Sequence, residues 1–226
     1  MTKTRSVALW IFLTSIFSWL MFRIIFPYSS WEWDVDFLQT KQFIIHLDHY
    51  RISFYAHIFS SLVILVSGSF LFVDALLKNW PSAHRTLGKL YVALLLLVAA
   101  PSGFVMAFYA NGGWMAKTSF LILTPLWWWF TYKGLQTARS GQFKAHRKWM
   151  MRSYALTLSA ISLRLFQFIL GYYFYINPKL QYILVSWTSW IFNLVAVELL
   201  IRNPTLLKSS LSTFLQRLRF GRRISP

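Results

Sequence analysis

The chain has 226 residues, 57% of them hydrophobic and only 13% charged, about half the charged share of an ordinary soluble domain. So few charges cannot cover a water-soluble globule, and the mean hydropathy of +0.48 agrees. The net charge of +17 is expected at membrane edges rather than on nucleic acid, and the absence of cysteine excludes disulfides, thiolate nucleophiles and iron–sulfur clusters.

A membrane crossing needs about 20 mostly apolar residues. Six segments meet that rule in chain order: 7–27, 53–77, 87–109, 115–137, 149–172 and 182–201. The first is longer than the apolar stretch of a secretory signal, holds Arg23 near its far end, and has no small-x-small cleavage site. It is expected to be a retained helix. The loop 28–51 is acidic and aromatic (Trp31, Glu32, Trp33, Asp34, Asp36) and then carries His46, Asp48 and His49. Its tryptophans suit an interfacial anchor. After residue 203, leucines alternate with Lys208, Arg217 and Arg219. That pattern predicts a basic amphipathic helix on anionic lipid.

With the N-terminus inside, seventeen Lys and Arg fall on inner flanks and four (Lys41, Arg51, Lys117, Lys179) on outer flanks. The positive-inside rule then places both termini in the cytoplasm. The expected architecture is an all-α integral membrane bundle of about six helices in the inner membrane. Its parts are 1–52 (first helix and outer loop), 53–202 (a five-helix core) and 203–226 (basic tail).

The chain has no HExxH, P-loop, GxSxG or GxGxxG segment, so the chemistry of metalloproteases, NTPases, elbow-type hydrolases and dinucleotide folds has no local signature here. Position carries the remaining signals. His84-Arg85-Thr86-Leu87-Gly88-Lys89-Leu90-Tyr91 opens the third span, and His146-Arg147-Lys148 followed by Arg152 and Tyr154 opens the fifth, 62 residues later. A parallel repeat would let His84 and His146 face one another. Two such imidazoles can be the axial ligands of one b-type haem, with Arg85 and Arg147 near its propionates and Gly88 leaving room for the ring. The plain alternative is two interfacial histidines that cap helix starts.

His57 and Arg164 fall at similar depth in the outer halves of their spans. An arginine there needs a carboxylate, water or a ligand, unless it snorkels to the interface. With Asn193 they outline a polar outer pocket suited to a quinone-like or anionic head group, and closure of Arg164 by Asp48 is the structural alternative. Arg152 is expected to pair with Glu198 or Asp74.

From His57 to Glu198 the chain resembles uncharacterised multi-pass bacterial membrane proteins grouped as domain of unknown function 2306. The resemblance rests on His57, the His84–Tyr91 stretch, Gly112-Gly113, Trp127-Trp128, the run from His146 to Thr157, Leu163-Arg164-Leu165, and Trp190-Ile191-Phe192-Asn193-Leu194 with Glu198. It implies no activity, but places His57, His84, His146, Arg152, Arg164, Asn193 and Glu198 at motif positions. A looser similarity is to the cytochrome b561 group, through a histidine near Leu-Gly at a span start. The fourth span lacks a histidine, so at most one bis-histidine haem fits. The expected function is redox-associated, with haem b on His84 and His146 and a quinone near His57 and Arg164. The alternatives are a cofactor-free subunit of a membrane complex and a small proton, anion or lipid carrier.

Overall fold

A computed structural model describes residues 3–203, with side chains from residue 12 onward. The basic tail expected beyond Asn203 lies outside the described residues. Helices account for the architecture, and no strand occurs among the described residues. Helix α1 (Lys3–Ile25) ends where Pro27 enters a short 3₁₀ turn, Phe26–Ser30. A second 3₁₀ turn, Asp36–Lys41, leads to α2 (Asp48–Leu71). Asp48 sits in the first turn of α2, where a negative charge complements the helix dipole.

The second span starts and ends earlier than expected. It ends at Leu71, and the chain turns into a separate helix, α3 (Asp74–Asn79), with Asp74 in its first turn. Pro81 then opens α4 (Pro81–Leu94), at the helix position where a missing N–H costs nothing. Helix α4 widens through a π segment, Leu95–Ala99, into α5 (Ala100–Ala107). Gly112 and Gly113, with φ of 84° and 75°, make the left-handed turn into α6 (Trp114–Arg139). Helices α7 (Phe143–Thr157) and α8 (Ser159–Phe174) form one membrane-length element broken at Leu158. Asn177 caps α9 (Pro178–Arg202) by accepting from the Lys179 amide at 3.0 Å.

Among the described residues five helical stretches are long and apolar enough to cross a membrane: Phe12–Ser30, Asp48–Leu71, Pro81–Ala107, Phe143–Phe174 and Pro178–Arg202. Helix α6 is not one of them. Trp127, Trp128, Trp129 and two lysines lower its hydropathy, yet it packs heavily on α7 and also on α5 and α9.

Two features hold the bundle together. In its centre Tyr91, fully buried, bonds Ser153 at 2.9 Å and Thr157 at 3.2 Å, while Ser153 also meets Thr131 at 2.7 Å and Trp127 donates to Thr157 at 3.1 Å. Buried hydroxyls thereby satisfy one another, so polar side chains can sit among Ile64, Leu95 and Trp190 without a desolvation penalty. Nearer the helix ends, Arg152 grips Glu198 through Nε and Nη2, the latter at 3.1 Å, with Trp149 against the guanidinium at 4.7 Å. Of the two expected partners for Arg152, Glu198 is the one found. Asp74 meets Arg147 instead, at 3.7 Å on the surface.

The segment between α1 and α2 is a folded cap. Tyr28, Leu38 and Ile45 pack with Tyr50, Phe54 and Tyr55 of α2 into a second apolar cluster. Trp31 lies against Tyr55, with centroids 4.5 Å apart.

Candidate functional site

The site begins with Pro101. Proline has no N–H, and its ring collides with the carbonyl four residues back, so an α-helix must adjust just before it. Here the adjustment is the π segment Leu95–Ala99, the kind of local widening that recurs at functional sites. Its Ala99 carbonyl accepts a hydrogen bond from His57 Nδ1 at 2.8 Å and one from Ser102 Oγ at 3.2 Å. A carbonyl only accepts, so the His57 proton is on Nδ1 and Nε2 is left for other partners. Gly103 makes the arrangement possible, since a Cβ there would stand 2.9 Å from Nδ1 and Cε1 of His57. Trp127 closes the other side edge-on, 6.4 Å between centroids.

His57 lines a partly open cavity of about 1070 Å³ bordered by α1, α2, α5, α6, α7, α8, α9 and the cap. Arg164 of α8 lines the same space. Its Nη1 donates to the Ala160 carbonyl of its own helix at 2.9 Å. The ion pairs among the described residues are Arg51–Asp48, Arg147–Asp74 and Arg152–Glu198. Asp48 is therefore held by Arg51 at 2.5 Å, which corrects the alternative that it closes on Arg164. The electrostatic neighbours of Arg164 are the phenols of Tyr28 and Tyr182 and the His57 ring. Three further lining groups, the hydroxyls of Tyr50, Ser61 and Ser189, are buried without a hydrogen-bond partner. Native interiors rarely leave such groups unsatisfied, and three around one cavity mark a place for polar atoms that are not part of the chain.

Lys41 ties the cap over this cavity. It is 4% exposed, and its ammonium donates to the Tyr109 carbonyl and Asn111 Oδ1, both at 2.5 Å. Burial, reinforced by Lys117, pulls the Lys41 pKa down to about 8. The unfolded side chain holds its proton to about 10.4, so between these values the folded chain binds fewer protons and docking of the cap gains stability as pH rises. The neutral amine keeps two N–H donors for the same two acceptors. Protection of the cap against limited proteolysis is expected to be flat below pH 7 and to increase from pH 8 to 10, with Lys41→Met abolishing the increase. A slope unchanged in Lys41→Met would place the titration elsewhere.

The other sequence-predicted residues lie apart from the cavity. Asn193 serves the α7–α8 break: its Nδ2 donates to the Ala155 carbonyl at 3.1 Å and its Oδ1 accepts from Ser162 at 2.9 Å. It is not a lining residue. His84 and His146 stand near helix starts, close enough to interact electrostatically. His146 Nδ1 donates to the Gly134 carbonyl at 2.8 Å, which leaves Nε2 free to ligate, whereas His84 Nδ1 is buried without a partner. His46, before α2, is exposed, and His49 in the first turn of α2 bonds the Tyr109 hydroxyl at 2.6 Å. Among the described residues no three His, Cys, Asp or Glu side chains cluster as a metal site. Sequence reasoning missed Tyr50, Ser61, Ser189, Lys41 and Gly103. Pro101, inside an apolar span, is a sequence signal for the distorted helix that carries Gly103, and the other four have no such local mark.

No curated protein matches the chain, and no solved structure does. A family described as "Predicted membrane protein (DUF2306)" matches residues 54–201, which contain His57, Gly103, Arg164 and Ser189. On that match over more than half its length, the chain belongs to the DUF2306 family of predicted membrane proteins.

Proposed function

We propose that this membrane protein seats the polar head group of a membrane-soluble ligand between Arg164 and His57. The observation that carries the reading is Arg164 itself, a cation in an apolar helix with no carboxylate partner among the described residues, lining a cavity that also holds three unsatisfied hydroxyls. A charge in a membrane helix costs at least ~2.5–3.5 kcal/mol on insertion scales. A bound carbonyl or oxyanion offsets that cost by accepting the guanidinium donors, while His57 Nε2 meets a hydroxyl or water beside it. Native mass spectrometry of the protein released from lipid nanodiscs tests this. The wild type should retain a small-molecule adduct that Arg164→Leu and His57→Ala lose, and a bare wild-type mass would contradict the seat.

A second reading has its own observation. The Gly134 carbonyl fixes the tautomer of His146, as backbone carbonyls do for metal-bound imidazoles, and the unpartnered buried His84 lies near it. Two imidazoles on separate helices are the donor set for one b-type haem. A bound haem would supply one-electron chemistry, and the cavity ligand would then be a quinone-type partner. The isolated protein should show a Soret band lost in His84→Ala and His146→Ala. A colourless, folded protein from haem-replete cells would leave the assembly-subunit and carrier readings.

The six-crossing topology with both termini cytoplasmic rests on the basic flanks and on the packing of α6 among the apolar helices. It frames a core at 53–202 and sets the basic tail against anionic lipid of the inner leaflet. Reporters at residue 226 and in the loop 28–51 should report opposite sides, and a shared side would refute it.

A further inference from the structure

The ionisable side chains around the cavity are unevenly signed. Arg23, Lys41, Arg164 and Lys179 line it, against a single carboxylate, Asp36. Lys41 is bonded to neutral acceptors, and Arg164 donates to the Ala160 carbonyl of its own helix with the phenols of Tyr28 and Tyr182 and the His57 ring as electrostatic neighbours. Among the described residues neither cation makes an ion pair, and Asp36 is outnumbered by the cations around the cavity, so positive charge is in excess in a low-dielectric setting where opposite charge is strongly favoured. A neutral carbonyl would satisfy donors but leave that charge unbalanced. An oxyanion does both, and a planar guanidinium suits its paired oxygens.

The cavity wall gives the second half of the inference. Helix α1 packs on α2 and makes no comparable contact with α8. Both nonetheless border the cavity, α1 through Met21, Ile24 and Ile25 and α8 through Leu163 and Arg164. The flank between α1 and α8 thus carries apolar side chains (Met21, Ile24, Ile25, Leu163) beside Arg23 and Arg164, and it is not sealed by close packing of the two helices. Ile24, which borders the cavity, is 39% exposed. A volume of about 1070 Å³ lies at the upper end of ordinary ligand sites, roughly 300–1,000 Å³. That is more room than a small head group alone requires.

We propose that the ligand is an anionic lipid, with its oxyanion head group at Arg164 and its apolar chains leaving between α1 and α8 into the bilayer. The proposal rests on the head-group seat described above and specifies what occupies it. The test is the melting temperature of the full chain in a neutral detergent, with dioctanoyl phosphatidic acid, dioctanoylglycerol, inorganic phosphate and decylubiquinone added separately. Phosphatidic acid about 100-fold above its Kd should raise the melting temperature by about 5 °C, and the other three should leave it unchanged. Arg164→Gln should abolish the shift. Should that variant fail to fold, Ile24→Trp carries the comparison: it adds bulk at the portal on a partly exposed position and should diminish the shift. An undiminished shift in Ile24→Trp overturns lateral entry. Equal stabilisation by dioctanoylglycerol would remove the role of charge, and equal stabilisation by inorganic phosphate would remove the role of the lipid. A shift with decylubiquinone alone overturns the anionic assignment and leaves the seat intact, whereas no shift with any probe, together with a bare native mass, overturns both.

Discussion

Gly68→Val is expected to cost about 2–3 kcal/mol of stability, in the upper range for overpacking a closed core. A Cβ at residue 68 would stand 2.6 Å from Tyr154 Cδ2 and 3.0 Å from Tyr91 Cε2. Neither ring can swing aside cheaply, because Tyr154 donates to the Leu65 carbonyl at 3.1 Å and Tyr91 is bonded to Ser153 and Thr157. Gly88 is the internal control. A Cβ there meets only Leu71 at 4.0 Å, so Gly88→Ala should be neutral or gain ~0.5–1 kcal/mol from reduced backbone entropy. Unfolding in a denaturing detergent series measures both, and similar losses at the two positions would refute the packing account.

The second large effect belongs to the Arg152–Glu198 pair. Breaking a fully buried pair costs ~3–5 kcal/mol because one charge is stranded. With side-chain exposures of 19% and 33%, solvent recovers part of that, and Arg152→Leu is expected to lose about 2 kcal/mol. Contact between the guanidinium and Trp149 disappears in the same variant. The double variant Arg152→Leu/Glu198→Leu should be more stable than Arg152→Leu alone, since it removes the stranded carboxylate. A double-mutant cycle with no coupling between the two positions would show that the pair does not act as a unit.

Apolar length and charge position made the membrane class and the main helices legible, because crossing a bilayer imposes both. Helix boundaries were less legible. Helices α4 and α7 begin at Pro81 and Phe143, before the apolar runs at 87 and 149, because their first turns are amphipathic and carry His84 and His146 at the membrane edge. The break at Leu158 left no proline or glycine to mark it. It is held by Asn193, a residue distant in sequence, which is why Asn193 read as a pocket residue and proved to serve the helix junction. His57 and Arg164 were legible as a pair because each is costly where it stands. Ser61 and Ser189 were not, since a serine in a membrane helix ordinarily bonds its own backbone, as Ser60 and Ser67 do, and the Tyr50 phenol depends on partners distant in sequence. Only the folded chain shows which hydroxyls go without.

The central claim is that Arg164 is kept for a ligand and not for the fold, and the stability of Arg164→Leu in ligand-free neutral detergent tests it most directly. A charge without a protein partner stabilises nothing when the cavity is empty, so the variant should melt at or above the wild-type temperature, by an amount consistent with relief of part of the ~2.5–3.5 kcal/mol insertion cost. A marked loss of stability in Arg164→Leu would mean that the protein itself compensates this charge, and would contradict the account.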